Sequence, residues 1–415
     1  MNVKAMRRAD RWLGVPLCFV LTVARRLFGG PKPDFSPPPR SFLFVKLAEQ
    51  GSTVLAYPAL KRAVEIAGRE NVHFIVFEDN RFILDALAVI PAQNVITISV
   101  EGLTRFLRTM LLAIRRVRRL KVEAAVDLEF FARGSAVLAY LSGARRRVGF
   151  HAFFGAGPYR GDLLSHRVLY NPHVHTSSAF LTLTEAVNGD PAALPTLRFA
   201  VPMASSEPPQ FTPSPAEVAE VREMLGREAC DHRPLILLNP NGSDLLPLRR
   251  WPLARYVELA RRFLAKYPEV VVAFTGAAEE ASVTAQLVRQ VASARCICLA
   301  GKTTLRQLLV LYTLAEVLVT NDSGPAHFAT LTSVCVVTLF GPETPELFGA
   351  RTPRNTALWA RLACSPCVNA YNNRQSKCRD NLCMQALTVD EVFEAGCCAL
   401  AAKRASGCFA EVVSF

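Results

Sequence analysis

The sequence has no uninterrupted run of the roughly 18 apolar residues that a membrane-spanning helix needs, although 51% of its 415 residues are hydrophobic. Its 12 cysteines are too few for a disulfide scaffold and are mostly scattered singly, which favours a reducing, cytoplasmic setting. A phosphate-binding P-loop is also missing, because Cys296 stands where a glycine must precede Gly301-Lys302-Thr303. The sequence therefore predicts neither a membrane-spanning protein, nor a disulfide-stapled domain, nor a P-loop enzyme.

Basic residues exceed acidic ones, 48 to 35, and the net charge of +13 favours an acidic partner such as a phosphate-bearing substrate or an anionic lipid surface. Nucleic acid is not predicted, because no aromatic-interleaved or helix-turn-helix pattern accompanies the charge. The basic residues concentrate at Arg105, Arg108, Arg115, Arg116, Arg118, Arg119, Lys121 and Arg145–Arg147. They fit either a solvated helix face or a surface that an anionic acceptor approaches.

Residues 1–40 stand apart from the rest of the chain. A basic start precedes the apolar stretch Trp12–Ala24, which Arg25 and Arg26 close, and a proline-rich linker follows at 31–39. A helix of this length is about 20 Å long and cannot cross the hydrocarbon core. It fits an interfacial helix whose basic rim is attracted to anionic lipid, or a helix that packs on the protein's own core.

Strand and helix patterns alternate in two long segments of the chain, 41–200 and 231–415. The alternation predicts parallel strands with crossover helices, and hence two doubly wound α/β domains around a cleft. The proline- and serine-rich segment 201–230 is the predicted linker between them. The predicted strands are 42–47, 72–77, 95–100, 122–128, 235–238, 270–275, 317–320 and 334–340, with helices at 54–67, 81–89, 103–117, 253–266 and 278–291.

The strand predicted at 317–320 is followed by a turn that suits an anion. Proline favours the first turn of a helix, and the free N–H groups there bind anions where small residues allow close approach. The pattern also fits a plain N-cap role for the aspartate or serine of this turn. The residues concerned are Asp322, Ser323, Gly324, Pro325 and His327.

Two further turns follow predicted strands. The first offers backbone amides to an anion, and Arg249 lies shortly after it with a guanidinium suited to a diphosphate. The second, Gly276 with Glu279, places a carboxylate where a ribose hydroxyl would bind. Each also fits a structural role, as a solvated basic face for Arg249 and as a first-turn acid complementing the helix dipole for Glu279. The residues of the first turn are Asn241, Gly242 and Ser243.

Taken in chain order, these turns resemble glycosyltransferase family 9, the heptosyltransferases of lipopolysaccharide synthesis, over roughly residues 41–400. The resemblance implies a GT-B fold, with two Rossmann-like domains and the donor held mainly by the C-terminal one. It also implies an inverting transfer from a nucleotide sugar, usually ADP-heptose, without an essential metal at the reaction centre. The matching motifs are Lys46 with Gly51 and Pro58-Ala59-Leu60, Arg249-Arg250-Trp251-Pro252, Gly276 with Glu279, Leu299-Ala300-Gly301 with Leu305, Asp322-Ser323-Gly324-Pro325-Ala326-His327, and Phe340-Gly341-Pro342.

The resemblance also implies roles for individual residues. Arg249 matches a family lysine that contacts the donor diphosphate, and Glu279 falls near an acid that holds the ribose. The segment from Asp322 to Gly324 matches one that touches sugar and phosphates, and His327 matches the family histidine. Fixed positive charge is what the departure of a nucleoside diphosphate requires.

One departure from the family pattern concerns the catalytic base. Where the family has Gly-Asp after its first strand, with that aspartate as the presumed base, this chain has Gly51-Ser52. A serine cannot take a proton from an acceptor hydroxyl at neutral pH. Glu49 is the nearest carboxylate and is the predicted base, with Ser52 beside it. The alternative is that Glu49 caps the following helix and another group, or none, acts as base.

Four cysteines form a separate candidate site in the polar loop 364–384. Cys364, Cys367, Cys378 and Cys383 have the makings of a tetrathiolate knuckle for zinc or iron. Disulfide bonds are the alternative. The predicted role of the loop is structural, and no cofactor is predicted for catalysis.

The sequence thus predicts a cytoplasmic GT-B glycosyltransferase, peripheral on the inner membrane, with an apolar helix before its two domains. Its donor would be a nucleotide sugar, and its acceptor an anionic envelope glycolipid such as lipopolysaccharide core. Two alternatives stay open. A nucleotide-sugar epimerase shares the two-domain fold, and a non-catalytic nucleotide-sugar or glycolipid-binding protein would account for Ser52.

Overall fold

The computed structural model describes residues 3–28, 35, 37–152, 158–193, 200, 208–228, 233–242, 246–372 and 374–405. The chain divides into two compact units. The N-terminal unit comprises Met1–Ser206 and Asn369–Gln375, and the C-terminal unit comprises Glu207–Val368 and Ser376–Phe415. A short piece of the second half of the chain therefore belongs to the first unit.

The N-terminal unit is built on a six-stranded parallel sheet with the order β3-β2-β1-β4-β5-β6. Its central strands are apolar and buried on both faces, as helices cover both sides of such a sheet. The strands are Phe42–Val45 (β1), Val72–Phe77 (β2), Val95–Ile98 (β3), Ala124–Asp127 (β4), Arg146–His151 (β5) and His166–Leu169 (β6). The helices are Val3–Trp12 (α1), Gly14–Phe28 (α2), Gln50–Val54 (α3), Tyr57–Ala67 (α4), Arg81–Leu87 (α5), Leu103–Leu120 (α6), Arg133–Leu141 (α7) and Thr176–Glu185 (α8).

The C-terminal unit repeats this plan, with the strand order β12-β11-β10-β7-β8-β9 and parallel pairing throughout these strands. Helices α10 and α16 pack on its central strands and enclose the fully buried Trp251 and Tyr256. The strands are Leu235–Asn239 (β7), Val271–Phe274 (β8), Cys296–Cys298 (β9), Val317–Asn321 (β10), Cys335–Phe340 (β11) and Asn355–Trp359 (β12). The helices are Pro215–Arg227 (α9), Leu253–Lys266 (α10), Ala281–Val291 (α11), Leu305–Leu314 (α12), Gly324–Ala329 (α13), Pro345–Phe348 (α14), Leu382–Gln385 (α15) and Val389–Ala405 (α16).

Three local expectations differ from the structure. The helix predicted at 54–67 is two helices, α3 and α4, and Pro58 lies in the first turn of α4, where a missing N–H is tolerated. The segment 201–230, predicted as a linker, contains α9, which a capping box of Ser214 and Glu217 begins. Arg146 opens a strand instead of lining a basic surface, and its buried guanidinium donates to the carbonyl of Phe35 at 2.7 Å.

The N-terminal apolar stretch is one part of a pair of helices, α1 and α2, attached to the N-terminal unit. Cys18 is fully buried in a cluster with Leu163, and Thr22 accepts a hydrogen bond from the Asp162 amide at 2.8 Å. The opposite face of α2 exposes large apolar side chains, with Phe19 58% and Val20 59% exposed. One face of α2 thus packs on the protein while the other remains uncovered. Among the described residues, no helix has the length and apolar character needed to cross a membrane.

Candidate active site

Most predicted site residues follow strands at the point where the strand order of each sheet reverses. That point lies between β1 and β4 in the N-terminal unit, and between β7 and β10 in the C-terminal unit. Crossover connections leave in opposite directions there, so the loops at the carboxyl ends of the two strands separate and form a binding crevice. The two units therefore each carry a candidate site of their own.

In the N-terminal unit, Lys46 directly follows β1 and has a fully buried side chain, whose Nζ lies 3.6 Å from Oε2 of Glu129. The other oxygen of Glu129 accepts hydrogen bonds from the amides of Leu47 at 2.7 Å and Ala48 at 3.1 Å. Glu129, which follows β4, thus fixes the turn after β1. The sequence pattern had not singled out this residue.

Beneath Glu129 lies a buried ion pair between Asp127 and Arg160, with side chains 0% and 1% exposed. Burial raises the pKa of Asp127, while the charge of Arg160 acts in the opposite direction. Asp127 also accepts a hydrogen bond from the Glu129 amide at 3.0 Å and another from the Ser135 hydroxyl at 3.0 Å. The Asp127 carboxylate, held by Arg160 and Ser135, thus supports the backbone at Glu129.

The predicted catalytic residues, Glu49 and Ser52, are in contact at the start of α3. The Ser52 hydroxyl donates to the Glu49 carbonyl at 3.0 Å and lies 3.4 Å from the carboxylate oxygen Oε2. Gly51 is buried between them. Oε2 of Glu49 also lies 2.6 Å from Nη1 of Arg374, which the sequence analysis had not connected with this turn. Glu49 is the N-cap residue of α3, but its side chain makes no cap hydrogen bond.

In the C-terminal unit, one asparagine connects two of the predicted turns. Nδ2 of Asn321, at the end of β10, donates to the carbonyls of Pro240 and Asn241 at 3.0 Å each. Nδ2 of Asn241 in turn donates to the Thr275 carbonyl at 3.0 Å. A Cβ on Gly276 would overlap the Asn241 amide, so only glycine allows this close approach. The turns after β7, β8 and β10 are thereby held together.

The rest of the turn after β7 is held by Arg250. The Gly242 carbonyl accepts hydrogen bonds from the guanidinium of Arg250, at 2.6 Å from Nη2. Ser243 lies outside the described residues. Arg250 therefore fixes this turn, whereas the guanidinium of the neighbouring Arg249 contacts other residues.

Arg249 lies between two acidic side chains. Its Nε is 3.4 Å from Oδ2 of Asp322, and its Nη2 forms an ion pair with Glu343. The side chains of the arginine and the two acids are 14%, 4% and 1% exposed. Glu343 follows β11 and was missed by the sequence analysis, although Phe340-Gly341-Pro342 directly precedes it. A guanidinium with two carboxylates offers donors to phosphate oxygens and acceptors to sugar hydroxyls.

The turn after β10 leads into α13 as predicted. Ser323 precedes the helix but its hydroxyl donates to the Asn321 carbonyl at 3.1 Å, so it does not cap α13. Gly324 and Pro325 form the first turn, and His327 is buried, with its carbonyl accepting from Thr330. Glu279 lies exposed in the 3-10 turn Ala278–Glu280, whereas Glu280 accepts from the Ala277 amide at 2.8 Å.

The four-cysteine metal site predicted in the loop 364–384 is not formed. Burial, with smaller contributions from the thiols of Cys364, Cys367 and Cys378, raises the pKa of Cys383 to about 11. In the described part of the chain, no disulfide joins these four cysteines. Within the described part of the chain, no three His, Cys, Asp or Glu side chains are placed to hold a metal ion. The Cys378 thiol donates a hydrogen bond to the Asp380 carbonyl at 2.8 Å.

Known proteins share this architecture. The Escherichia coli ADP-heptose lipopolysaccharide heptosyltransferase II superposes with a TM-score of 0.66 at 18% identity, covering 88% of this chain and 99% of that one. A family 9 glycosyltransferase from Veillonella parvula gives a TM-score of 0.68 at 16% identity, with 89% and 100% covered. At this level of identity the likeness shows the fold, and the predicted GT-B class is confirmed.

Sequence comparison identifies the family. Lipopolysaccharide heptosyltransferase 2 of Salmonella typhimurium is 35% identical over 117 residues, which is 28% of this chain and 33% of that protein. The matched segment thus spans about a third of the length of this curated relative. The model of glycosyltransferase family 9 (heptosyltransferase) matches residues 113–377, more than half of the chain. The chain therefore belongs to glycosyltransferase family 9.

Proposed function

We propose that this protein is an inverting glycosyltransferase that moves a heptose or similar sugar from a nucleotide sugar to an envelope glycolipid such as lipopolysaccharide core. The observation that carries the proposal is the cluster of Arg249, Asp322 and Glu343 at the reversal point of the C-terminal sheet. Family membership supports sugar transfer. The Escherichia coli protein of similar fold is described as an ADP-heptose heptosyltransferase, which supports ADP-heptose as donor.

The donor is assigned to the C-terminal unit. Arg249 neutralises the diphosphate as it leaves with the nucleoside, because fixed positive charge stabilises the negative charge that develops there. The carboxylates of Asp322 and Glu343 accept hydrogen bonds from sugar hydroxyls. In the turn at Asn241–Gly242, the backbone amide of Gly242 is offered to the phosphates, because the Asn241 amide already donates to Asn239 at 3.1 Å. Glu279, exposed after β8, is the proposed contact for the ribose.

The acceptor is assigned to the turn after β1 in the N-terminal unit. The acceptor hydroxyl attacks the anomeric carbon of the donor, the bond to the diphosphate breaks, and the hydroxyl proton passes to the carboxylate of Glu49. Nη1 of Arg374 lies 2.6 Å from Oε2 of Glu49 and holds this carboxylate in place. The guanidinium of Arg249 is the proposed hydrogen-bond donor to the leaving diphosphate, and we propose no cofactor for the reaction.

We further propose that the protein works on the cytoplasmic face of the inner membrane. The uncovered face of α2, with Phe19, Val20, Leu27 and Phe28, is apolar and lies next to Arg26, which is 71% exposed at its side chain. Apolar side chains with a basic border bind anionic lipid surfaces without crossing them. A glycolipid acceptor in the same membrane would then lie close to the bound protein.

Replacing Phe19 and Val20 together with serine is expected to reduce binding to phosphatidylglycerol vesicles at least tenfold, because both side chains lose the apolar environment that the lipid provides. Vesicle flotation measures the effect. The matched control replaces Leu253 and Val283, which are 38% and 43% exposed on the C-terminal unit, with serine. Equal loss in both variants, or no binding of the unaltered protein, would contradict the membrane proposal.

A non-catalytic binding protein is the second candidate function. It is favoured by one observation, that the only carboxylate of the turn after β1, Glu49, is paired with Arg374. The resemblance to family 9 would place an aspartate where this chain has Ser52. Such a protein would bind the nucleotide sugar but never consume it. Its affinity for the donor would not change when Glu49 is replaced.

The experiment that separates these functions follows donor consumption by mass spectrometry. The unaltered protein is incubated with ADP-heptose, or with other nucleotide sugars, together with extracted envelope lipid. A heavier lipid and released nucleoside diphosphate support transfer. Donor that binds and stays intact with every acceptor lipid would overturn it in favour of the binding protein.

A further inference from the structure

Glu49 and Arg374 are far apart in the sequence but form an ion pair within the N-terminal unit. Nη1 of Arg374 lies 2.6 Å from Oε2 of Glu49, and the two side chains are 15% and 27% exposed. Solvent screens such a half-buried pair less than a pair on the open surface. The contact therefore fixes the direction of the Glu49 carboxylate.

Both residues have left-handed backbone conformations. φ is +68° at Glu49 and +53° at Arg374, a region that residues with a Cβ seldom occupy. Strained conformations of this kind persist only where the surrounding structure determines them, and they concentrate at functional sites. Here two residues with left-handed backbones form one short ion pair with each other. This indicates that the surrounding structure keeps both conformations because they bring the two side chains together.

The segment that carries Arg374 is fastened to the N-terminal unit by other contacts. The hydroxyl of Tyr371 donates to the Tyr170 carbonyl at 2.7 Å, and its ring stacks on Phe131 with centroids 5.5 Å apart. Within the segment, the amides of Asn369 and Asn372 each donate to the side chain of the other, at 3.0 and 3.1 Å. Arg374 is therefore presented to Glu49 from a fixed support.

We propose that Arg374 is a positioning residue for the reaction, which holds the carboxylate of Glu49 aimed at the acceptor hydroxyl. This inference rests on the proposed function, in which Glu49 is the base. Ser52 completes the arrangement, since its hydroxyl lies 3.4 Å from the same carboxylate oxygen that Arg374 contacts. A segment from the second half of the chain thus takes part in acceptor activation in the first unit.

The test compares four variants: Arg374→Gln, Arg374→Lys, Glu49→Gln, and the double variant Arg374→Gln with Glu49→Gln. Arg374→Gln is expected to lower kcat on the order of 10- to 100-fold with the donor KM unchanged, as loss of orientation does. Arg374→Lys keeps the charge and recovers most of kcat. The double variant is no slower than Glu49→Gln alone, because Arg374 acts through Glu49.

Arg379→Gln is the matched control, since it removes an exposed arginine from the same loop. It is expected to keep the kcat of the unaltered protein. Thermal unfolding is measured for each variant. If Arg374→Gln does not fold, Arg374→Lys is compared in the unaltered and in the Glu49→Gln background instead.

Three outcomes overturn the inference: unchanged kcat in Arg374→Gln, losses in the two single variants that multiply in the double variant, or a raised acceptor KM with kcat intact. The last would make Arg374 a contact for the acceptor. Failure of the unaltered protein to transfer sugar is a different result, because it overturns the proposed function. The two failures are thus distinguished by the same set of assays.

Discussion

Replacing Glu49 with glutamine is expected to lower kcat for sugar transfer by about 10²- to 10⁴-fold, the range by which a positioned general base accelerates a reaction. The amide keeps the size of the side chain but cannot take the proton of the acceptor hydroxyl. Binding of ADP is expected to stay unchanged, because the donor is assigned to the C-terminal unit. Steady-state kinetics and calorimetry measure the two effects.

Two variants of Ser52 sharpen this prediction. Ser52→Ala removes the hydroxyl next to Glu49 and should change kcat only a few-fold, since the carboxylate remains. Ser52→Asp in the Glu49→Gln background returns a carboxylate to the position where family 9 has its aspartate, and should restore part of kcat. Glu49→Gln at full rate would show that another group accepts the proton.

The fold was largely predictable because its signals are local. Apolar runs alternating with amphipathic segments gave β2 at Val72–Phe77 and α10 at Leu253–Lys266 with the bounds that the structure has. Strands buried on both faces and helices with one apolar stripe leave these patterns in the sequence itself. The motif order then indicated GT-B, and the two parallel sheets with reversed order agree with it.

Strand β5 was not predicted, because its sequence starts with arginines. Arg146 and Arg147 are typical of a solvated surface, yet Arg146 is 4% exposed and Arg147 donates to the carbonyls of Leu163 and Ala144, at 2.6 Å each. Burial lowers the pKa of Arg147 to about 10. Buried guanidinium groups are stable when carbonyls satisfy their donors, and no local pattern reports such distant partners.

The candidate site was only partly predictable, because some of its contacts join residues that are distant in the sequence. Arg249 and Asp322 were identified from their own motifs, and the structure pairs them. Glu129 and Glu343 were missed, although each follows a strand at or beside the reversal point of its sheet. The predicted strands already indicated that position, so both residues could have been identified from it. Arg374 had no such signal, because only the folded chain brings it to Glu49.

The second large effect is expected for Arg249→Gln, which should reduce kcat/KM for the donor by about 10²- to 10³-fold, as loss of a group that stabilises developing charge does. The same change leaves Asp322 and Glu343 buried without their cation. Removing one partner of a buried ion pair costs about 3–5 kcal/mol of the free energy of unfolding, so the variant should also unfold at lower temperature.

A double variant, Arg249→Gln with Glu343→Gln, separates catalysis from stability. Replacing the Glu343 carboxylate removes one of the two negative charges that the Arg249 guanidinium balanced, so part of the lost free energy of unfolding should return. The rate of transfer should not return, because no positive charge faces the leaving diphosphate. If donor turnover recovers together with the unfolding temperature, Arg249 serves only to neutralise its acidic neighbours, and the diphosphate is bound by another group.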